Sequence, residues 1–296
     1  MILIADSGST KTDWALVGQE GVAGRFATQG INPVHQDAAA IAAILKGELL
    51  PQLQASPGSE HNSGCRFQTF QEVSISSIAF YGSGCLPSLQ PLVVQLLREA
   101  LPSAADVEVQ GDLLGAARAL CGSREGIACI LGTGANSCLY DGSRIVKNTS
   151  PLGYVLGDEG SGAVLGISFL NALLKGFLPA ELKAAFLEWQ QMTEADIIGR
   201  VYRQPLANRW LASLSPFIHE HLEMPAVSEI VTENFRRFFR RNLVQYGRCD
   251  LPVQAVGSIA WHYRDQLAAA ARAEGFTLGT VVATPMDGLV AFHQKR

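Results

Sequence analysis

Leu3-Ile4-Ala5-Asp6-Ser7-Gly8-Ser9-Thr10-Lys11-Thr12-Asp13-Trp14 is the stretch on which the reading of this chain turns. An apolar run brings Asp6 to the end of a strand, a small hydroxyl-rich turn follows, and Trp14-Ala15-Leu16-Val17 reads as a second strand. Two strands joined this closely pair as a hairpin. A tip of Ser7, Gly8, Ser9 and Thr10 keeps bulky side chains away, so backbone amides and hydroxyls can meet an anion. Lys11 adds a positive charge, and the Asp6 carboxylate is suited to a hydrated magnesium ion. A tight hairpin with polar dressing explains the same residues, because short glycine-rich patterns recur without function. The rest of the chain has to decide.

Working outward, the chain holds 296 residues, 48% of them hydrophobic, which predicts two domains with substantial cores. A formal charge of -4 argues against a nucleic-acid binder, which shows a basic face. No apolar run reaches the roughly 20 residues of a membrane span. No basic segment precedes the first apolar run, and Asp6 interrupts it, so a signal peptide is not expected. Cysteines stand at 65, 85, 121, 129, 138 and 249 with no C-x-x-C pair, and read as buried free thiols in a reducing compartment, the cytoplasm. The six histidines are scattered without metal-ligand spacing.

After the hairpin, 22–28 reads as a third strand, and Gln29-Gly30-Ile31-Asn32-Pro33 as a turn in which proline biases Asn32 to an extended backbone. Helical spacing covers 36–54, and 55–71 reads as a mobile surface loop. A strand at 75–81, a helix at 89–101 and a strand at 105–110 follow. The same order then restarts. Strands at 127–131, 137–141 and 145–148 lead into a helix at 160–175 and a largely helical region from 179 to 246. Within that region 230–243 mixes three phenylalanines with four arginines, read as a core-packed helix with a solvated basic face. A strand at 253–256, a helix opened by Gly257-Ser258, a strand at 277–283 and a closing helix at 287–294 end the chain. Two modules in series predict a duplicated α/β architecture with a ligand cleft between them.

Leu131-Gly132-Thr133-Gly134-Ala135-Asn136-Ser137 mirrors the first hairpin, with Thr133 and Asn136 as donors to phosphate oxygens. Gly111-Asp112-Leu113 places an acid at a strand-to-helix junction, where it serves as an N-cap, as a general base toward a substrate hydroxyl, or as both. Gly157-Asp158-Glu159-Gly160-Ser161 sets two adjacent acids among glycines before a helix; capping explains one of them, and a polar ligand explains the pair. Gly257-Ser258 opens a helix with an N-terminus free of bulk, and Asp287 reads as the cap of the last helix.

In this order the segments resemble the acetate kinase–sugar kinase–actin–chaperone superfamily, and within it the N-acetylglucosamine kinase-like members of the BadF/BadG/BcrA/BcrD-type ATPases. The resemblance runs from Asp6 to Gly288. It implies two ribonuclease H-like (actin-like ATPase) α/β domains facing a central cleft: 1–109, completed by the C-terminal helix 285–296, and 110–284 with a helical insertion at about 178–247. It also implies ATP and Mg2+ as cofactors and an amino sugar phosphorylated on its 6-hydroxyl. Asp6 would hold magnesium through water, with Gly8, Ser9, Thr10 and Lys11 around the phosphates. Asn32 and Asp158 would bind sugar hydroxyls, Asp112 would be the base and also touch the sugar, and Thr133 and Gly134 would serve both ligands. Asn136 would meet phosphate, and Gly257 and Ser258 would border the adenosine. Ser150-Pro151-Leu152 stands where mammalian-type members have glycine and tryptophan, which leaves the exact sugar open. A homodimer is also left open. Two rivals remain: an ATPase activating a dehydratase or reductase, which needs cysteines placed for an iron–sulfur cluster, and a non-catalytic sugar-binding regulator.

Overall fold

In the computed structural model, residues 1–8, 10–55 and 74–295 are described. The loop expected over 55–71 lies outside them apart from Ala55, as does Ser9. The chain divides into two compact units, 1–122 with 285–296, and 123–284.

The first unit is built on β1 (Ile2–Ser7), β2 (Lys11–Gly18), β3 (Gly21–Gln29), β4 (Ser77–Gly82) and β5 (Asp106–Gly111), in the order β3-β2-β1-β4-β5. β1 is antiparallel to β2 and parallel to β4, which is parallel to β5. This is the ribonuclease H-like sheet. β1 is central and covered on both faces, which is why its run is continuously apolar rather than alternating. Leu3 and Ala5 pack with Ile41, Leu45, Leu49 and Leu97, from α1 (Ala38–Ile44), the π-turn Leu45–Leu49 that continues into α2 (Leu50–Ala55), and α3 (Gln90–Ala100). Ile4 packs on the other face with Tyr81, Leu289 and Val290. That face is covered by α4 (Asp112–Cys121) and the C-terminal helix (Met286–Gln294), which cross so closely that a Cβ on Gly288 would lie 2.3 Å from the Ala119 carbonyl. This packing keeps α4 in the first unit and moves the boundary to 122/123, against the expected 109/110.

The second unit repeats the plan with β6 (Glu125–Leu131), β7 (Ala135–Asp141), β8 (Ile145–Lys147), β9 (Val253–Val256) and β10 (Leu278–Val282), in the order β10-β9-β6-β7-β8. β6 is antiparallel to β7 and parallel to β9, so the two sheets share one topology. The one-turn α5 (Gly153–Leu156), absent from the expected elements, precedes α6 (Gly162–Leu174). Then come α7 (Ala180–Gln190), α8 (Glu194–Tyr202), α9 (Ala207–Ala212), α10 (Ser215–Glu220) and α11 (Pro225–Phe238), the last running through a π-turn (Phe239–Leu243) into a short 3-10 turn (Val244–Tyr246). α12 (Ser258–His262) and α13 (Arg264–Ala273) follow β9, and α14 (Met286–Gln294) closes the chain.

Phe235, Phe238 and Phe239 are buried together with Ile127, Cys129 and Phe169 in the larger core. The π-turn adds a residue to the helical repeat, which lets the adjacent Phe238 and Phe239 both face inward. Three of the four arginines of this stretch are partnered: Arg236 and Arg240 meet Glu274, and Arg241 meets Glu159. Cys85, Cys121, Cys129 and Cys138 are buried, whereas Cys249 is exposed, a correction to the uniform burial expected; Cys65 lies outside the described residues. Among the described residues no helix is long and apolar enough to cross a membrane.

Candidate functional site

Hairpin 1 is held from inside by two hydroxyls. Ser7 Oγ and Thr12 Oγ1 lie 2.7 Å apart; Ser7 Oγ donates to the Ile31 carbonyl and accepts the Ile31 N–H, each at 2.9 Å. Both side chains are buried, so Ser7 belongs to the frame of the turn and not to its tip. The tip is closed by Gly8 N–H on the Lys11 carbonyl at 2.9 Å. Thr10 is exposed, and Lys11 pairs with Asp13 at 2.6 Å. A Cβ on Gly8 would meet nothing nearer than the Lys11 carbonyl at 3.6 Å, so the fold itself does not demand glycine there.

Asp6 sits one residue before the end of β1, in register with Tyr81 of β4 and so with Gln110 of β5; Asp112 follows β5 by one residue. Both acids therefore stand at the carboxyl ends of parallel strands, where α/β sheets bind ligands. They feel one another. Asp6 is pushed up to about 7, by burial first and then by the charges of Asp112 and Asp13. Burial also raises Asp112, against the pull of the Leu113 N–H, which its Oδ1 accepts at 2.8 Å. Asp112 is the first helical residue of α4 and Gly111 is the N-cap, so the capping role weighed for Asp112 is not the one it plays. Asp287 is not a cap either; Pro285 holds that position, and Asp287 pairs with Arg25 of β3. Burial and Asp112 together push the Cys85 thiol up to about 12. Asn32, buried, accepts the Val34 N–H on Oδ1 at 3.0 Å, and a Cβ on Gly84 would fall 2.2 Å from that oxygen. The amide nitrogen is left as the group it presents.

Hairpin 2 is held from outside, by a helix. The N–H groups of Gly162 and Ala163, at the start of α6, donate to the carbonyls of Gly132 and Thr133 at 2.8 and 3.1 Å. Thr133 is exposed, and a Cβ on Gly132 would meet nothing within 4 Å. Asn136 lies in β7 opposite Ile130 and not in the turn, and its Oδ1 accepts from Asn148 Nδ2 at 2.9 Å.

The two acids of the Gly157–Ser161 stretch part company. Asp158 has a left-handed backbone (φ 53°), and its carboxylate lies over Gly134, where a Cβ would approach Oδ2 to 3.2 Å. Burial raises its pKa, the N–H of Ala135 opposes that, and the charge of Glu159 adds to the rise. Glu159 turns the other way into the protein, 5% exposed, and accepts from Arg241 Nη1 at 3.1 Å. Neither acid caps α6; Ser161 does, through its hydroxyl on Val164 N–H. Gly257 (φ 121°) opens α12 at the end of β9, and a Cβ there would lie 2.3 Å from the Leu131 carbonyl. That contact requires glycine whatever the position binds; Ser258, next to it, is exposed.

Asn234 was missed from the sequence. It is fully buried, accepts the Gly160 N–H at 3.1 Å and donates to the Ser161 carbonyl at 3.2 Å. The available signal was an amide on the apolar stripe Val227, Val231, Phe235, Phe238. Among the described residues no three His, Cys, Asp or Glu side chains are grouped to hold a metal ion. A groove of about 780 Å³ runs along α3 and β5, between Arg98 and Gln110, and none of the candidate residues lines it.

Neither a family model nor a curated protein matches the chain. Solved structures do. A "Putative N-acetylglucosamine Kinase" from Porphyromonas gingivalis is 50% identical, over 100% of this chain and 99% of that one, with a TM-score of 0.91. A second protein so described, from Chromobacterium violaceum, is 18% identical over 98% of both chains, with a TM-score of 0.70. A ROK family glucokinase from Streptomyces griseus, solved with glucose and AMPPNP, is 15% identical over 98% of this chain and 97% of that one, with a TM-score of 0.55. The last two share the fold. The first, with half of all residues identical from end to end, settles more: the chain belongs to the N-acetylglucosamine kinase-like family of the actin-like ATPase fold.

Proposed function

We propose that the protein is an ATP-dependent sugar kinase that phosphorylates the 6-hydroxyl of N-acetylglucosamine or a related amino sugar. The observation that carries this reading is the pair Asp6 and Asp112, two mutually repelling carboxylates at the carboxyl ends of parallel strands, in a chain half identical to a protein described in those terms. Repelling acids at a half-buried site fit a ligand that brings a cation and a donor hydroxyl. Asp112 accepts the proton of the sugar hydroxyl as it attacks the γ-phosphate, and a raised pKa makes a carboxylate a better base for that step.

The glycines at the hairpin tips support a phosphate role. Gly8 and Gly132 are unexplained by packing or by backbone angle, so the missing side chains leave room for something outside the protein. Gly8, Thr10, Lys11, Thr133 and Gly134, with Ser9, are assigned to the phosphates. Asn136, whose Oδ1 is taken by Asn148 Nδ2, has its amide nitrogen left to donate to a phosphate oxygen. Asn32 offers its amide nitrogen and Asp158 its carboxylate to sugar hydroxyls, and Gly257 and Ser258 border the adenosine. Asp6 would hold Mg2+ through water, since one carboxylate fits a hydrated ion better than a protein cage. When bound, magnesium neutralises charge building on the phosphates.

The test is ADP release with a panel of sugars, together with NMR of the product. Release above the sugar-free background for N-acetylglucosamine, with phosphate on its 6-oxygen, supports the reading. Release that no sugar stimulates rejects it.

A further inference from the structure

One continuous element, α11 with its π-turn and 3-10 turn, holds the back of the Asp158 loop at several points. Asn234 grips Gly160 N–H and Ser161 C=O with the two ends of a single amide. Arg241 and Asn242, on the π-turn, reach the two oxygens of Glu159 at 3.1 and 3.5 Å. The Asn242 carbonyl accepts from Thr149 Oγ1 at 3.0 Å, and Tyr246 OH bonds Ser137 Oγ of β7 at 2.7 Å. The loop needs such support. Asp158 has φ 53° and Gly160 φ 83°, and Asp158 N–H is tied to the Pro151 carbonyl at 2.8 Å. A non-glycine residue in the left-handed region is strained, and persists where its surroundings over-determine it.

We infer that Glu159 and Asn234 are positioning residues for Asp158: through Arg241, Asn242 and the backbone of 160–161 they hold its carboxylate over Gly134 in the orientation the sugar meets. The consequence for binding rests on the sugar-kinase reading; the support of the loop does not. Glu159 has a second effect that comes from its charge. It is the acid next to Asp158 and opposes its ionisation. Of the surrounding elements, the 131–137 turn of hairpin 2 and α6 carry no ionisable side chain, α5 carries Tyr154, the 3-10 turn carries Tyr246, and from the π-turn Arg241 is bonded to Glu159 itself and Arg240 to Glu274.

Two substitutions at Glu159 separate geometry from charge. Glu159→Ala removes the grip on the π-turn and is expected to raise the sugar KM about tenfold, the loss of one charged hydrogen bond's worth of orientation, while the ATP KM stays within about twofold. Asn234→Ala is expected to do the same with a lower melting temperature. Equal rises in both KM values, or none, overturn the positioning role. Glu159→Gln keeps an acceptor for Arg241 and restores most of the sugar KM. It also removes the negative charge, so the acid limb of kcat/KM for the sugar moves to lower pH by about half a unit. The same shift is read without turnover from the 13C carboxyl signal of Asp158, assigned by its loss in Asp158→Asn. An Asp158 signal that titrates unchanged in Glu159→Gln overturns the inference. A shifted signal in an enzyme that phosphorylates no sugar upholds the coupling of Glu159 to Asp158 and rejects the kinase reading alone.

Discussion

The two units share a sheet order strand for strand, yet equivalent positions carry opposite chemistry. Hairpin 1 closes on Ser7 opposite Thr12, two buried hydroxyls; hairpin 2 closes on Leu131 opposite Ala135, two apolar side chains. One residue earlier, Asp6 and Asp13 face each other in the first unit where Ile130 and Asn136 do in the second. The helix after β5 begins with Asp112, whereas the helix after β10, which belongs to the first unit, begins with buried Met286. The first unit thus keeps ionisable carboxyl groups at its strand ends, and their repulsion helps to raise the pKa of Asp6. The second presents backbone and hydroxyl groups, fixed by the N-terminus of α6, and puts its one candidate acid on a separate loop. Identical topology did not fix the chemistry. The loops and the residue after each strand did, as expected where function is grafted onto a common scaffold.

If this division is real, substitutions of the strand-end acids Asp6 and Asp112 in the first unit should damage turnover, and substitution of Asp158 in the second should damage binding. The largest effect is expected from Asp6→Ala, a fall in kcat of about a hundredfold or more with a changed magnesium dependence, because the held cation carries much of the charge stabilisation. Steady-state rates across a magnesium titration read this, and a kcat within a fewfold of wild type would break the comparison. Asp158→Asn should instead raise the sugar KM by about ten- to a hundredfold, the range for losing a charged hydrogen bond, with kcat less affected. A loss confined to kcat would move Asp158 into the catalytic group.

A third pair sharpens the glycine argument. Gly257→Ala forces a Cβ to within 2.3 Å of the Leu131 carbonyl at positive φ, and should cost about 2 kcal/mol or more of stability. Gly132→Ala meets no neighbour and should leave thermal unfolding nearly unchanged while weakening ATP binding. Equal melting temperatures for the two, or intact ATP affinity in Gly132→Ala, would contradict the roles given them.

The smallest expected effect is on stability against pH in the metal-free protein. The folded-state pKa of Asp6 is raised to about 7, so the folded state holds its proton more tightly than the unfolded state does. Its contribution is favourable at low pH and declines as pH rises from the ordinary carboxylate range through about 7. Asp6→Asn should therefore raise the melting temperature at pH 8 and change it little near pH 4. The opposite sign would mean that Asp6 is stabilised as an anion by groups of the fold.

Much of this was legible in the chain itself. The strands and major helices announce themselves by apolar runs and spacing, and the restart of the pattern after residue 110 shows the duplication. Local signals stop where partners are far apart. Glu159 and Arg241 are separated by 82 residues, so the sequence shows two adjacent acids while the fold has one buried with a partner and one beside Gly134. The π-turns, the one-turn α5 and the placement of Asn136 in a strand depend on packing that periodicity does not report. Asp112 and Asp287 look like caps because both are acids at helix starts, but each lies inside its helix, past Gly111 and Pro285.

The most direct measurement is a single-turnover assay of γ-phosphate transfer to N-acetylglucosamine with Asp112→Asn beside the wild type, with ATP affinity measured on the same samples. The expected result is ATP bound within about threefold of wild type and transfer slowed by about a hundredfold or more, the usual loss on removing a general base. Transfer at the wild-type rate in Asp112→Asn would contradict the assignment of the base and the reading built on it.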